Sequence, residues 1–367
     1  MKKRALIAMS GGVDSSVAAF LMKKRGFDCL GITMRLFRGN SDSEARHSCC
    51  SDSDIDDAAE VAYRIGIPFE VLDFSREFRE QIIDKFVRTY ESGGVPNPCI
   101  DCNSEMKFGL LLKYALEKGY DFVVTGHYAR IDTDKVSGRR LLKKALVPEK
   151  DQSYVLYRLT QEQLSHVIFP LGDMGKDETR SIAEEEGFIN AKKHDSQDIC
   201  FVPDRDYAGF MEEYSGRPYP DGDILDLSGK VLGRHHGAVR YTNGQRRGLG
   251  ISAPEPLYVI KKDMKENKVY VGAEEDLYSD TLYASEVNWI SIPAPSGELR
   301  VKARTRYSQK EQDATVYGEE DRRIRLVFDK AQRAITPGQA VVMYDGDTVV
   351  GGGTIAGPDR LPPKAEC

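Results

Sequence analysis

The residues best suited to chemistry lie in a short loop near the start of the chain. The run Ser10–Ser16 has the sequence Ser-Gly-Gly-Val-Asp-Ser-Ser and separates an apolar stretch from a segment with helical spacing of apolar residues. Two glycines let the backbone approach a ligand, and hydroxyls with helix N-terminal amides bind anionic oxygens. Asp14 suits a Mg2+ ion that bridges phosphates. A capped glycine turn is the plain structural alternative, but the whole run in this place favours phosphate binding, without the lysine of a P-loop.

Three cysteines form the second chemical feature. Cys99 and Cys102 lie in the run Asn97–Asn103, which we predict to be a loop before a helix starting near Glu105. A thiol just ahead of a helix N-terminus is favoured as the reactive thiolate. The pair fits a redox couple, two metal ligands, or a nucleophile with a bystander, although a zinc site normally has two such pairs. With Cys200 the pair could hold an iron–sulfur cluster, or Cys200 could carry a persulfide that Cys102 resolves.

Composition narrows the class of protein. The chain has 367 residues, 40% hydrophobic and 30% charged, which suits more than one soluble domain. No apolar run approaches the roughly 20 residues that span a bilayer, so we predict no membrane association. The basic, then apolar start is like a signal peptide, but Ser10–Asp14 interrupts it and a buried strand is favoured. We therefore expect a cytoplasmic protein with reduced thiols, in which Cys29 is simply a buried hydrophobe.

The charge distribution leaves nucleic acid open as a partner. A net charge of −6 argues weakly against phosphate binding. Basic residues are nevertheless clustered, and such clusters are either solvated faces or contacts to nucleic acid. They are Arg139-Arg140 with Lys143-Lys144, Lys192-Lys193-His194, Arg246-Arg247, and Arg300, Lys302, Arg304 and Arg306.

Strand and helix signals alternate through the N-terminal half, which predicts an α/β fold with a doubly wound parallel sheet. Ligands in such folds bind beyond the carboxyl ends of the strands. The predicted strands are Arg4–Met9, Cys29–Met34, Pro68–Phe74 and Phe122–Val124, and the predicted helices are Asp14–Arg25, Asp54–Ile65 ending at Gly66, Arg76–Tyr90, Glu105–Lys118, Thr160–His166 and Asp177–Gly187.

The character of the sequence changes near residue 206. Short β-rich runs divided by Gly and Pro follow, at Leu257–Lys261, Lys268–Val271, Leu299–Tyr307, Arg323–Phe328 and Ala340–Tyr344. They indicate two small β-rich domains, the last one barrel-like. We therefore predict a catalytic domain at 1–205, a central β-rich domain at 206–280 and a C-terminal barrel-like domain at 281–367.

The loop Ser10–Ser16 resembles the Ser-Gly-Gly-x-Asp-Ser loop of the ATP pyrophosphatase family, whose members adenylate a carbonyl oxygen. The whole chain resembles one branch, the bacterial tRNA-uridine 2-sulfurtransferases, which make 2-thiouridine at the wobble position. The resemblance rests on Ser10–Ser16, Asn97-Pro98, Cys102-Asn103, Lys107-Phe108, Thr125–Tyr128, Lys150–Tyr154, Ile199–Phe201, Gly244–Arg246, Arg306-Tyr307 and Thr336–Gln339.

The resemblance implies a Rossmann-like catalytic domain of the adenine nucleotide alpha hydrolase type, followed by two β-rich tRNA-binding domains. Cys102 would be the catalytic nucleophile and Cys200 the persulfide carrier. ATP, with Mg2+, would be bound by Ala8, Met9, Ser10, Gly11, Gly12, Val13, Asp14, Ser15, Met34 and Gly126. Asn97, Pro98 and Cys99 would face the target base, and His127, Lys150, Asp151, Gln152, Arg306, Tyr307 and Gln339 would contact tRNA.

The implied reaction is adenylation of uridine O2, attack of sulfur at C2 and release of AMP. A persulfide-carrying donor protein, a cysteine desulfurase or a relay, is the partner that the family implies. Two departures stand out. Many relatives carry Asp where this chain has Cys99, which strengthens the iron–sulfur hypothesis, and Gln197-Asp198 replaces a Thr-Gly pair.

Two other functions are compatible with parts of the sequence. An ATP-dependent ligase or amidotransferase acting on a small molecule would use the phosphate loop but no reactive cysteine. A non-enzymatic RNA-binding adaptor would use the basic clusters but consume no ATP. Release of AMP and pyrophosphate that depends on tRNA separates both from the thiolation enzyme.

Overall fold

The computed structural model describes residues 2–37, 51–193, 199–202 and 205–357. Its strands are β1 (Arg4–Ala8), β2 (Asp28–Arg35), β3 (Phe69–Asp73), β4 (Phe122–Val124), β5 (Ala129–Thr133), β6 (Arg140–Lys144), β7 (Val167–Ile168), β8 (Asp221–Asp226), β9 (Val231–His236), β10 (Tyr258–Asp263), β11 (Lys268–Gly272), β12 (Tyr278–Trp289), β13 (Glu298–Arg304), β14 (Gln312–Glu319), β15 (Arg323–Arg333), β16 (Ala340–Asp345) and β17 (Thr348–Ile355). Its α-helices are α1 (Val13–Lys24), α2 (Asp52–Ile65), α3 (Ser75–Phe78), α4 (Asp84–Glu91), α5 (Pro98–Asp101), α6 (Leu111–Glu117), α7 (Gln161–Ser165), α8 (Lys176–Glu185) and α9 (Tyr207–Ser215), and π-helical segments cover Arg79–Ile83 and Cys102–Leu110.

The N-terminal unit is built on a five-stranded parallel sheet in the order β3-β2-β1-β4-β7. Helices α1, α2 and α8 pack on one face around a core that includes Val17, Val61 and Ala183. The opposite face is covered by a second core that includes Phe86 and Leu111. Burial on both faces explains why the central strands β1 and β4 are rich in apolar residues, whereas the edge strand β3 is partly exposed. The predicted doubly wound α/β fold is confirmed.

Helix α2 shows how local sequence sets the bounds of an element. Ser51 accepts a hydrogen bond from the Asp54 amide, and the Asp54 carboxylate accepts one from the Ser51 amide, so two orphan donors of the first turn are satisfied. The helix ends at Gly66, whose φ of 68° is in the left-handed region that glycine tolerates best. The predicted end at Gly66 is confirmed, and the start is two residues earlier than predicted.

The segment that carries Cys99 and Cys102 is helical, so the loop predicted for Asn97–Asn103 is wrong. Helix α5 begins at Pro98 and runs without a break through the π-helical segment into α6. Proline at the first helical position has its φ already set for a helix and lacks an amide proton that would remain unpaired there. The helix therefore starts seven residues before the predicted Glu105.

The C-terminal part forms two β-rich units. Strands β10-β11-β8-β9 make a four-stranded sheet, and β12-β15-β14-β13-β16-β17 close into a six-stranded barrel through the pairing of β12 with β17. Closure of the sheet on itself removes most of its free edges. The expected barrel-like C-terminal architecture is confirmed.

A hairpin from the N-terminal unit extends the barrel sheet. Strands β5 and β6 pair with each other, and Lys143 of β6 lies opposite Thr348 of β17. The hairpin is not evident in the sequence, because Arg140, Lys143 and Lys144 have the pattern of a basic cluster and not of a buried strand. The two units are thus joined by a shared sheet as well as by the chain.

Helices long and apolar enough to cross a bilayer do not occur within the described residues.

The barrel packs so closely on the N-terminal unit that a methyl group at Gly352 has no room. A Cβ there would lie 2.5 Å from the Tyr157 ring and 2.7 Å from the Val341 carbonyl oxygen. We expect Gly352→Ala to lower the free energy of unfolding by about 1–3 kcal/mol, the usual cost of overpacking. Urea unfolding measures it, with Gly297→Ala as control, since no heavy atom lies within 4 Å of a Cβ at Gly297. Equal stability of the two variants would contradict this packing.

Candidate nucleotide and sulfur site

The phosphate loop joins β1 to α1, and its own hydroxyls fix its shape. The Ser15 hydroxyl accepts a hydrogen bond from the Ser10 amide at 3.1 Å and donates one to the Gly12 carbonyl at 2.9 Å. Gly11 has a φ of 73°, and a Cβ there would overlap the backbone of Asp54. Gly12 caps α1 without a side-chain hydrogen bond to the helix. The first amides of α1 therefore remain available to anionic oxygens.

The loop lies at the switch point of the sheet. Strands β1 and β4 are neighbours at the point where the strand order changes direction, and sheets of this kind bind ligands in the crevice at that point. Gly126 follows β4 and touches the loop so closely that a Cβ would lie 2.7–2.9 Å from atoms of Asp14 and Ser15. The phosphate loop and Gly126, both predicted to bind ATP, are therefore in contact.

The carboxylate of Asp14 is held by two residues that the sequence analysis missed as site residues. The Lys176 ammonium lies 2.8 and 3.0 Å from its two oxygens, and the Tyr128 hydroxyl donates to Oδ1 at 2.8 Å. Lys176 is at the first position of α8, where a cation is disfavoured by the helix dipole. That unfavourable position was the available signal that Lys176 has an acidic partner.

A buried asparagine supports the loop from behind. The Asn190 side chain donates to the Gly11 carbonyl and lies 2.9 Å from both that oxygen and the Ser16 hydroxyl. No periodicity or motif marks Asn190 in the sequence.

Met34, predicted to line the adenosine site, lies near the carboxyl end of β2 and is 7% exposed. Ala8 ends β1 and Met9 follows it, at the same edge of the sheet as the end of β2. That both residues contact the nucleotide stays a prediction.

Asp101 anchors the cysteine helix between Cys99 and Cys102. Its carboxylate accepts from Lys85 and from Arg158, both at 2.7 Å, and is 10% exposed. Cys99 lies exposed in the first turn, and Cys102 is partly buried where the π-helical segment begins. Segments of π-helix are frequent at functional sites. The anchored carboxylate fixes the rotation of the helix and thereby the directions of both thiols.

Cys200 packs against the same apolar core as Cys102. The neighbouring Phe201 ring contacts Phe78 and Phe86 at centroid distances of 5.7 and 5.2 Å, which holds residues 199–202 on the helical face of the N-terminal unit. Gln197 and Asp198, the departure noted in the sequence, lie outside the described residues.

The iron–sulfur cluster predicted for three cysteines stays a prediction, since the described side chains do not show a grouped set of ligands for it. Cys99, Cys102 and Cys200 all belong to the described chain, and within it no three side chains of His, Cys, Asp or Glu are grouped to hold a metal ion. A cluster needs its thiolates gathered around one set of irons. The common core of Cys102 and Cys200, with Cys99 exposed, suits chemistry between two thiols.

His127 lies between the nucleotide loop and the cysteine helix. Its ring packs on Phe108 of the π-helical segment and on Phe169, with centroids 6.1 and 5.8 Å away, and Nδ1 lies 2.7 Å from the Thr125 hydroxyl. Burial, and then the nearby Lys107 ammonium, hold the pKa of His127 well below its usual value. The imidazole is therefore neutral at pH 7.

Two residues predicted to contact tRNA have internal partners. The buried Asp151 carboxylate accepts from the Ser153 hydroxyl and from Arg304 of the barrel, at 2.9 and 3.0 Å. The Gln152 side chain accepts from the Tyr128 amide at 2.9 Å. These contacts favour a structural role for both side chains, while their contact with tRNA, like that of the adjacent Lys150, stays a prediction.

The barrel residues predicted to bind tRNA lie along its contact with the N-terminal unit. The Gln339 amide donates to the carbonyls of Val95 and Pro96, just ahead of the cysteine helix. Tyr307 is 44% exposed. Burial, and then the nearby Arg333, lower the pKa of Arg306, whose guanidinium donates to the Ala334 carbonyl at 2.7 Å.

Most basic clusters of the sequence are ion-paired. Arg300 forms a two-pronged pair with Asp329, and Lys302 pairs with Asp313. Lys193 donates to both Asp54 and Asp57. Arg300 and Lys302 therefore belong to an exposed, ion-paired strand face, whereas Lys193 is a partly buried ion pair.

A phosphate loop at the switch point of a parallel sheet, followed by two β units, defines a nucleotide-using α/β enzyme. Three family models match the chain in succession. They are described as a tRNA methyl transferase HUP domain over residues 3–204, a tRNA methyl transferase PRC-barrel domain over 208–273 and an aminomethyltransferase beta-barrel domain over 279–355.

Curated relatives match over nearly the full length. The tRNA-specific 2-thiouridylase MnmA of Clostridioides difficile is 49% identical, covering 97% of this chain and 98% of that protein. The enzymes of the same name from Acetivibrio thermocellus and Halothermothrix orenii are 47% and 49% identical, each over 96% of this chain, and over 99% and 98% of their own lengths. The chain belongs to the tRNA-specific 2-thiouridylase family, and its interpretation as a sulfurtransferase is confirmed.

The contact between Gly126 and the phosphate loop predicts a specific defect. A methyl group in Gly126→Ala would displace the Asp14–Ser15 peptide, so we expect ATP to bind roughly tenfold or more weakly, at least about 1.4 kcal/mol. Calorimetric titration with Mg-ATP measures the dissociation constant. Gly297→Ala serves as control and should bind ATP like the wild type. Unchanged affinity in Gly126→Ala would contradict this geometry.

The lowered pKa of His127 predicts a loss of stability in mild acid. The unfolded chain binds a proton at an ordinary pKa near about 6.5, whereas the folded chain does not. The free energy of unfolding should therefore fall as the pH drops below about 6.5. Urea unfolding at pH 7.5 and 5.5 should show a smaller difference in His127→Gln than in the wild type. Gly297→Ala provides the control, since it changes no titrating group and meets no heavy atom within 4 Å, and it should keep the wild-type difference. An equal loss in all three proteins would contradict the assignment.

Proposed function

We propose that this chain uses ATP to replace O2 of a uridine in tRNA with sulfur. The observation that carries the proposal is the position of His127, which follows the strand beside the phosphate loop and packs on Phe108 of the helix that bears Cys102. The phosphate loop and the helix that bears Cys102 therefore lie on either side of His127, at the carboxyl edge of the sheet. Membership of the tRNA-specific 2-thiouridylase family supports the substrate and the reaction.

The first step activates the base. Uridine O2 attacks the α-phosphorus of ATP, and the bond to the β-phosphate oxygen breaks to release pyrophosphate. Amides at the start of α1 are the groups that would stabilise the charge on the phosphates, while the Lys176 ammonium is paired with Asp14. Asp14 would be the protein ligand of Mg2+, since a carboxylate oxygen suits that ion; when bound, the ion neutralises phosphate charge. The product is a uridine whose O2 leaves readily as part of AMP.

The second step transfers sulfur. The terminal sulfur of a persulfide on Cys200 attacks C2, and the C2–O2 bond breaks to release AMP. The Cys102 thiolate then attacks the Cys200 sulfur and breaks the sulfur–sulfur bond, which leaves 2-thiouridine and a disulfide between the two cysteines. A cellular dithiol must reduce that disulfide. A persulfide-bearing donor protein must recharge Cys200.

Substrate binding calls for a base outside its stack. The anticodon loop is single-stranded, so turning a wobble base outward costs little. Asn97 and Pro98 start the cysteine helix and would border the base, with the exposed Cys99 beside them. Arg306, Tyr307 and Gln339 would meet tRNA from the barrel, and His127 from the nucleotide side. The neutral imidazole suits contact with a base better than with a phosphate.

Cysteine variants test the proposal. We expect Cys102→Ser and Cys200→Ser to lower thiolation of unmodified tRNA by roughly a thousandfold or more, as loss of a covalent nucleophile usually does. Cys99→Ala should retain thiolation, and anaerobically purified protein should lack stoichiometric iron and acid-labile sulfide. The assay follows thiolated nucleosides together with AMP and pyrophosphate.

Cys29 provides the matched control for these variants. It is 3% exposed within β2, and burial raises the pKa of its thiol to about 11, so it is a neutral hydrophobe at pH 7. Cys29→Ala should thiolate like the wild type. Stoichiometric iron lost together with thiolation in Cys99→Ala would overturn the persulfide route. Pyrophosphate release at the same rate with and without tRNA would favour a small-molecule ligase. The absence of ATP cleavage under both conditions would favour an RNA-binding adaptor.

A further inference from the structure

A buried arginine of the barrel reaches into the N-terminal unit. Arg304 ends β13, and its side chain is 12% exposed. The guanidinium lies 5.2 Å from the Tyr154 ring centroid and 5.0 Å from that of Tyr344, and it donates to the Asp151 carboxylate at 3.0 Å. Losing either partner of such a buried pair would leave a charge without compensation.

The turn that Arg304 holds also clamps Tyr128. Next to Asp151, Gln152 donates its amide to the Tyr128 carbonyl at 2.9 Å and accepts from the Tyr128 amide through its side chain at 2.9 Å. The hydroxyl of Tyr307, on the barrel surface, donates to the Asp151 carbonyl at 3.0 Å. Both main-chain polar groups of Tyr128 are thus fixed by a turn that the barrel holds.

Tyr128 in turn reaches the phosphate loop. Its side chain is 2% exposed, and its hydroxyl lies 2.8 Å from Asp14 Oδ1 and 3.1 Å from the Thr179 hydroxyl. Lys176 pairs with both oxygens of Asp14, whereas the buried ring of Tyr128 places its hydroxyl oxygen against Oδ1 alone. Tyr128 therefore determines how the Asp14 carboxylate is rotated.

We propose that Tyr128 and Arg304 are positioning residues for ATP binding and cleavage, and that the seating of the barrel sets the orientation of Asp14 through Asp151 and Gln152. The proposal rests on the proposed function for its link to tRNA. A tRNA bound at Tyr307 would affect the turn at Asp151 and Gln152, because the Tyr307 hydroxyl donates to the Asp151 carbonyl. ATP cleavage would then be favoured when the barrel is correctly seated on its substrate.

A double-mutant cycle tests this path. The variants are Tyr128→Phe, Arg304→Lys and the combination, and the readouts are the dissociation constant for Mg-ATP, pyrophosphate release with and without unmodified tRNA, and the melting temperature. We expect Tyr128→Phe to weaken ATP binding roughly tenfold, as loss of one hydrogen bond to a charged group does. Arg304→Lys should weaken it in the same direction, although it lies in the barrel. The combined loss should be clearly smaller than the product of the single losses, because both act through one contact.

Two controls separate positioning from general loosening. Tyr157→Phe removes another buried hydroxyl at the barrel contact, one bonded to Thr354. Arg300→Lys alters an exposed arginine on the same strand as Arg304. Both should bind ATP like the wild type, even if their melting temperatures fall. Should Arg304→Lys not fold, Tyr307→Phe takes its place, since it removes only a partly exposed hydroxyl.

The outcomes separate this proposal from the proposed function. Unchanged ATP affinity in Tyr128→Phe, or fully additive losses in the cycle, would overturn the positioning role. Wild-type protein that binds ATP but does not cleave it with tRNA would contradict the proposed function, and the ATP affinities of the variants would still decide the positioning role. Weakened affinity equal to that of Tyr157→Phe would show loosening instead of positioning.

Discussion

The buried carboxylate of Asp151 is the point on which the arrangement of this molecule depends. It accepts hydrogen bonds from the Ala145 and Ser153 amides, from the Ser153 hydroxyl and from the barrel guanidinium of Arg304. A carboxylate removed from water needs this number of donors, because an unsatisfied buried charge is far more costly than an unsatisfied neutral group. Since the donors come from two folded units, the charge is satisfied only when the units are docked. Docking, in turn, places β17 against β6 and the barrel turn at Gln339 beside the start of the cysteine helix.

The parallel sheet, the phosphate loop and the end of helix α2 could be predicted from the sequence, because their signals are local. The apolar runs of β1 and β4 and the helical spacing between them define a parallel sheet, and the Ser-Gly-Gly-x-Asp-Ser run lies where such a sheet binds ligands. Gly66 marks the end of a helix because the left-handed backbone there favours glycine. In each case a few neighbouring residues determine the conformation, so the chain needs no tertiary information to reveal it.

The features that the sequence did not reveal depend on contacts between distant segments. Lys176, Asn190 and Tyr128 meet the phosphate loop from positions 114 to 179 residues away along the chain. The hairpin β5–β6 is stabilised by a barrel strand some 200 residues later, and its charged residues look like loop in isolation. The helical start at Pro98 was missed for the opposite reason. Its signal is local, but Asn-Pro is also a common turn, and only the packed position of Asp101 decides between them.

The sheet shared between the units has a consequence for how the protein can be dissected. A fragment that stopped near residue 205 would retain the parallel sheet and the phosphate loop, yet β6 would lose β17 and become an unprotected edge. Exposed edges of this kind pair with other chains. The same truncation would leave Asp151 without its guanidinium. The units on either side of the composition boundary near 205 therefore share a strand pairing and a buried ion pair, and we expect such a fragment to be less stable than the whole chain.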